Sequence, residues 1–223
     1  IQSAIMKIDR NSHLEVISVF GCSIALSILS LKYIPIFWLS WFISLFLVWL
    51  GIFVTYFFRV PRREAQGNGK DLTSVADGQV VIIEETYEGE YLKRNCIQIS
   101  VYMNFFDMHA NFWPVDGEIT YYKYHPGKHW LAFKPKASEE NEHSCTAIRT
   151  AEGTEIFFKQ LAGTFARRIV NYAKPGMKVR AGNQCGIIKF GSRIDMYLPL
   201  DADIKVEIGE VTRACETVIA RLR

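Results

Sequence analysis

The chain reads as a β-dominated α+β soluble domain, barrel- or sandwich-like and built of short strands, preceded by an N-terminal transmembrane helical hairpin. Three observations predict this. Two long uncharged apolar runs stand near the N-terminus, the composition turns polar and glycine-containing after Pro61, and beyond it short β-branched or aromatic segments alternate with glycines. The 223 residues leave about one domain of ordinary size after the apolar segment is subtracted. A net charge of +3, from 26 basic and 23 acidic residues, is too mild for a nucleic-acid partner and leaves a membrane as the better one. Cys22, Cys96, Cys145, Cys185 and Cys215 are scattered without a Cys-x-x-Cys pair or regular histidine spacing. They predict reduced packing thiols, with neither a disulfide framework nor a zinc site.

The apolar runs cover 16–31 and 34–58, parted by Lys32, Tyr33 and Pro35. At ~1.5 Å per residue the second reaches ~37 Å, enough to cross a hydrocarbon core of ~30 Å with tilt, whereas the first is short. Lys7 and Arg10 precede the pair and Arg59, Arg62 and Arg63 follow it, so the charge bias places both ends on the cytoplasmic side of the cell's inner membrane. No small-residue cleavage site ends the first run, which argues against a signal peptide. Residues 1–60 are therefore the expected anchor and 61–223 the soluble domain. Within the latter, strands are expected at Gln79–Ile83, Cys96–Tyr102, Glu118–Tyr124, Thr146–Arg149, Glu155–Leu161, Lys178–Val179 and Ile187–Phe190. Gly163–Tyr172 is the one expected helix there, with Ala166, Ile169 and Val170 on one side and Arg167 and Arg168 on another. Residues 175–182 and 208–215 share a Gly-x-x-Val-x-x-Gly-like rhythm, the second ending in Cys215, which suits the tight hairpins of a sandwiched barrel.

Three polar positions invite chemistry. Gly191-Ser192, inside Lys189-Phe190-Gly191-Ser192-Arg193, joins strand-like flanks, and a tight turn there would bring the Ser192 hydroxyl against the Gly191 carbonyl. Asp77 precedes Gly78 in what is first of all a turn signal, and His109 lies in an aromatic-rich loop with Phe105, Phe106, Phe112 and Trp113. A base, a hydroxyl and an orienting carboxylate act together only if they meet in space.

Several segments, taken in order, resemble the compact membrane-anchored form of the phosphatidylserine decarboxylases over nearly the whole chain. The resemblance is carried by Tyr56-Phe57-Phe58-Arg59 with Pro61, Ala76-Asp77-Gly78, Phe106-Asp107-Met108-His109-Ala110-Asn111 with Pro114 and Gly117, Tyr124-His125-Pro126-Gly127, Ala137-Ser138 with Asn141-Glu142, Gln160-Leu161-Ala162-Gly163 with Ala166-Arg167-Arg168-Ile169, and Lys189-Phe190-Gly191-Ser192-Arg193. Val75, Val60, His143 and Phe112 depart from the family's usual proline, aspartate, arginine, and arginine or histidine.

The resemblance implies self-cleavage between Gly191 and Ser192 into a large chain, 1–191, and a small chain, 192–223, which stay associated. Ser192 would become a covalent pyruvoyl cofactor, with His109 as base oriented by Asp77. Phosphatidylserine in the bilayer would form a Schiff base with that group and lose CO₂ to give phosphatidylethanolamine, with no metal required. Arg167, Arg168, Phe112 and Trp113 are the candidates for holding the substrate, and a homo-oligomer is compatible with the reading. Two alternatives compete: a membrane-tethered β-barrel adapter that never cuts itself, and a pyruvoyl decarboxylase of a soluble amino acid. A denaturing gel separates the first from the enzyme, and activity on a soluble substrate identifies the second.

Overall fold

The structure, a computed structural model, describes residues 7–128, 141–163, 168–189 and 192–223. It divides into two compact units, Ile1–Arg62 and Arg63–Arg223.

In the first unit, strand β1 (Lys7–Ile8) pairs antiparallel with β2 (Arg59–Val60), and between them run helices α1 (His13–Tyr33) and α2 (Phe37–Phe57). Each helix has 21 residues, about 32 Å of rise, so the first run is longer than the sequence suggested. The extension comes from the polar turn at its start, where the Ser12 hydroxyl donates to Asp9 Oδ2 at 2.9 Å. Pro35 holds Ile34 extended (φ −89°, ψ 110°) and delays α2 to Phe37. Both helices are long and apolar enough to cross a membrane. Their packing is the reverse of a soluble core: Ser23, Ser27, Ser30, Ser40, Ser44 and Gly51 are buried between them, while Leu14, Trp38, Phe42 and Leu45 face outward. Ser27 Oγ donates to the Ser44 carbonyl at 3.2 Å, and Ser44 Oγ to the Ser27 carbonyl at 3.1 Å. Small residues inside and large apolar ones outside suit lipid as the solvent, because there close backbone approach holds helices together while an outward leucine costs nothing.

The second unit contains strands β3 (Asp71–Thr73), β4 (Gly78–Glu88), β5 (Arg94–Met103), β6 (Ala110–Phe112), β7 (Gly117–His125), β8 (His143–Arg149), β9 (Glu155–Ala162), β10 (Arg168–Asn171), β11 (Lys178–Val179), β12 (Gln184–Lys189), β13 (Ser192–Leu198), β14 (Asp203–Ile204), β15 (Val211–Thr212) and β16 (Val218–Arg221). An eight-stranded antiparallel sheet has the order β11-β7-β8-β9-β13-β5-β4-β15, and two three-stranded sheets run β10-β12-β6 and β14-β16-β3. The sheets close on a core that includes Leu72, Val80, Ile99, Trp113, Ile119, Ile148, Phe158, Ile188, Ile194 and Ile219.

These orders expose an internal pseudo-twofold between β9 and β13. One half holds β3–β5 and β13–β16, the other β6–β12, and each contributes four strands to the large sheet and one small sheet. The repeat is detailed. Val211-Thr212 pairs with Gln79-Gly78 as Lys178-Val179 pairs with Glu118-Gly117. The Ala214 amide donates to Asp77 Oδ1 at 2.8 Å, and the Ala181 amide to Asp116 Oδ1 at 2.7 Å. Gly182 (φ 80°) and Cys215 (φ 68°) hold matching left-handed positions, which accounts for the rhythm in the sequence and for the cysteine at its end.

Each of the seven expected strands falls within or overlaps an observed one. The expected helix at Gly163–Tyr172 is corrected: its described part is β10, with Arg168 opposite Lys189 and Asn171 opposite Gly186. Residues 164–167 lie outside the described residues. A ten-residue window fits helical and strand periods nearly equally well, and here pairing with β12 decides. Gly186 permits the approach, since a Cβ there would run into the Val170 carbonyl oxygen.

Candidate active site where the two sheets meet

Ser192 opens β13 and is fully buried between two neighbours, opposite Met103 of β5 on one side and Ala162 of β9 on the other. β12 ends at Lys189 in the small sheet and β13 begins at Ser192 in the large one, so the strands on either side of Gly191 belong to different sheets. Gly191 itself lies outside the described residues. The pseudo-twofold shows what is unusual here. Asp195 pairs with Ser100 as Phe157 pairs with Ala147, which makes Thr154 the counterpart of Ser192 and puts Gly153-Thr154 in the place of Gly191-Ser192. At Thr154 the strands β8 and β9 are joined by an ordinary tight turn, with the Thr150 amide donating to the Thr154 carbonyl at 2.9 Å. At Ser192 that turn is absent. β5 departs into residues 104–109, β13 arrives from β12, and the opened end is where His109 and Ser192 are found.

His109 is fully buried just before β6, and its backbone carbonyl accepts from the Ile188 amide at 3.2 Å. That bond sets it beside the strand leading to Gly191-Ser192. Its Nδ1 lies 2.9 Å from the Asp107 carbonyl, the contact of an Nδ1–H tautomer in which Nε2 is the basic nitrogen. The Ser192 hydroxyl sits 3.6 Å from Met103 Sδ. A thioether is a weak acceptor, so among the described residues this contact holds the hydroxyl only loosely.

Asp77 lies at the same end of the large sheet, one residue before β4, but its carboxylate faces other partners. It takes Arg63 at 2.5 and 3.0 Å as well as the Ala214 amide. Burial works to lower the Arg63 pKa, and the hydrogen bond and charge of Asp77, with Glu216, outweigh it and hold the guanidinium above its ordinary value. Thus the structure brings Ser192 and His109 to one end of the sheets and gives the imidazole the Asp107 carbonyl, not the Asp77 carboxylate, as its Nδ1 partner. Phe112 and Trp113 are buried, Trp113 edge-on to Phe158 at 6.1 Å, whereas Phe105 and Phe106 on the His109 loop are exposed. Arg168 is exposed on β10, and Arg167 lies outside the described residues.

Sequence reasoning passed over a buried polar layer behind Ser192. Asn111 Nδ2 approaches Met103 Sδ at 3.8 Å, Gln160 Nε2 donates to Asn111 Oδ1 at 2.7 Å, and Gln160 Oε1 accepts from Asn171 and Ser144 at 2.7 and 2.8 Å. Beside it Arg193 and Asp195, both fully buried, pair at 2.7 and 2.9 Å, and Ser100 donates to Asp195 at 2.6 Å. So much polarity in a core costs stability relative to apolar packing.

Comparison with known proteins defines first the class and then the family. The sequence profile described as phosphatidylserine decarboxylase matches residues 50–220, and the chain is accordingly a decarboxylase. A phosphatidylserine decarboxylase proenzyme of Amoebophilus asiaticus is 45% identical over 173 residues, covering 78% of this chain and 77% of its own length. Proenzymes of the same description from Bacteroides fragilis and Cytophaga hutchinsonii are each 44% identical, over 187 and 167 residues; the former covers 81% of this chain and 82% of its own length, the latter 75% and 76%. The chain belongs to the phosphatidylserine decarboxylase family.

Proposed function

We propose that the chain is a proenzyme that cuts itself between Gly191 and Ser192 and then decarboxylates phosphatidylserine to phosphatidylethanolamine at the membrane. The observation that carries this reading is the position of Ser192, buried as the first residue of a central strand at the crossover between sheets, with its hydroxyl against nothing firmer than a thioether among the described residues. His109 takes the hydroxyl proton on Nε2 as Oγ attacks the Gly191 carbonyl carbon, and the amide becomes an ester with the nitrogen of residue 192 freed. Removal of the Ser192 Cα proton then expels the Gly191 carboxylate. The dehydroalanine left at 192 takes up water and loses ammonia, which ends the small chain in a pyruvoyl group.

The residues around Ser192 fit a group made from that side chain, because β5 and β9 hold the start of β13 from both sides and burial excludes bulk water. What a pyruvoyl group supplies there is an electron-withdrawing carbonyl for the substrate amine, so that CO₂ can leave. His109 returns a proton to the carbon that loses the carboxylate. Exposed Phe105 and Phe106 suit the headgroup level of a bilayer, and Arg168 offers a positive charge to an anionic lipid. With Lys7 and Arg10 before the hairpin and Arg59 and Arg62 after it, the β-sheet unit lies on the cytoplasmic side of the inner membrane.

Intact-mass spectrometry of the full chain purified in detergent tests the proposal. Two fragments are expected, the smaller blocked to N-terminal sequencing, and Ser192→Ala remains a single inactive chain. A Ser192→Ala protein that decarboxylates phosphatidylserine in vesicles, or a wild-type chain that does so uncut, overturns it. Turnover of free serine without turnover of the lipid leaves the cleavage standing and overturns the substrate.

A further inference from the structure

On the outer face of the large sheet, where His143 stands across Leu161 of β9 from Arg193 of β13, four residues from three separate segments converge. Their ligand atoms, one each from Glu90, His125, His143 and Cys145, all lie within 4.8 Å of one another. We propose that they form a binding site for a divalent borderline metal ion of the zinc type, a structural clamp outside the decarboxylase site.

The fold builds the cluster by ordinary strand rules. His143 and Cys145 stand two apart on β8 and so share a face, and the β7–β8 register puts His125 directly opposite His143. The two imidazoles stack with centroids 4.6 Å apart and planes 18° from parallel. Glu90 comes from the turn between β4 and β5. Buried Glu88 shapes that turn by accepting from the amides of Glu90, Tyr91 and Leu92 at 2.9, 2.9 and 2.7 Å. Glu90 then meets His125 Nε2 at 2.6 Å through Oε1 and Cys145 Sγ at 3.2 Å through Oε2.

Four features favour an ion over a hydrogen-bonded cluster alone. Tetrahedral zinc, with bonds of about 2.0–2.3 Å, wants ligand atoms roughly 3.3–3.8 Å apart; the ligand atoms here span 2.6 Å for His125 and Glu90 to at most 4.8 Å, so shifts of about 1 Å, widening the shortest contact and closing the longest, bring them to that size. The donor set is one thiolate, one carboxylate and two neutral imidazoles, so its two negative charges balance a dication in a setting where an uncompensated charge is costly. Outer partners are in place: His143 Nδ1 lies 2.6 Å from the Asn141 carbonyl, which directs Nε2 inward, and the Tyr121 hydroxyl donates to Glu90 Oε1 at 2.9 Å. Finally, Cys145 is fully buried and His143 nearly so, whereas the His125 and Glu90 side chains are 26% and 19% exposed, which gives an ion a way in. Four protein ligands leave no open position, so the site is structural. It would tie the β4–β5 turn to the ends of β7 and β8.

The test reads metal rather than activity, so its outcome is separate from that of the proposed cleavage. Full-length protein in detergent, loaded with Zn²⁺ and desalted, should hold about one ion per chain. Loaded with Co²⁺, it should show a thiolate-to-cobalt charge-transfer band with intense tetrahedral d–d bands. Cys145→Ser removes the charge-transfer band, Glu90→Gln weakens Co²⁺ binding about tenfold or more, and Cys22→Ser, at an exposed thiol, changes neither. Should Cys145→Ser fail to fold, the wild-type cobalt spectrum and Glu90→Gln decide. Substoichiometric metal in wild type under excess Zn²⁺, a cobalt spectrum without the thiolate band, or unchanged affinity in Glu90→Gln overturns the proposal.

Discussion

Asp77 and Asp116 occupy matching places, and the difference between them isolates what Asp77 adds. Each carboxylate accepts a backbone amide, from Ala214 and Ala181 respectively, and only Asp77 also pairs with an arginine, the partly buried Arg63. Alanine at either position leaves an amide without its acceptor and should cost about 1–3 kcal/mol in a denaturant melt. Self-cleavage, followed by gel against time, should slow in Asp77→Ala and proceed normally in Asp116→Ala. Equal processing of the two would reduce Asp77 to a scaffold residue. His109 was legible as a base candidate from its residue type and its loop. Its Asp107 partner was not, because a backbone carbonyl carries no signature in the sequence.

Among the elements, β16 is pinned to β3 by a pair that titrates. Arg221 Nε meets Asp71 Oδ1 at 2.6 Å, and this hydrogen bond, followed by that from the Asn68 amide, holds the Asp71 carboxyl below its ordinary pKa of 3.8. A depressed acid stabilises the fold above its unfolded-state pKa and loses that contribution as pH falls through the lower folded-state value. The melting temperature of wild type should therefore exceed that of Asp71→Asn by a constant margin from pH 7 down to about pH 5, with the margin shrinking below about pH 4. A margin that grows on acidification would contradict the assignment. The helical hairpin and most strands were legible because their patterns are local. The 163–172 segment was not, because its state is set by β12, which the chain reaches only later.

For the whole molecule, the architecture bears on what the proposed self-cleavage would do. The small chain would begin at Ser192 and contain β13, which pairs with β5 from Ser192↔Met103 to Leu198↔Ile97 and with β9 from Ser192↔Ala162 to Tyr197↔Phe157. It would also contain β15 and β16, which pair with β4 and β3. One fragment thus supplies a central strand and an edge strand of the large sheet and two of the three strands of a small sheet. The two pieces should co-elute by size exclusion in mild detergent and part only in denaturant, with one cooperative transition by circular dichroism. Release of the small piece without unfolding would refute this.

By itself the sequence determined the apolar hairpin, the β-rich domain after Pro61 and the family, and it put Gly191-Ser192 forward as the candidate bond. Each is written in neighbouring residues: uncharged length, alternating side chains, glycine at turns, motifs in a fixed order. The tertiary structure alone decided that Ser192 lies where one half of a pseudo-twofold lacks its hairpin turn, that Asp77 holds Arg63, and that Glu90, His125, His143 and Cys145 meet. Strand pairing brings together residues tens of positions apart, and a register that depends on every strand between them leaves no mark in the spacing of cysteines and histidines.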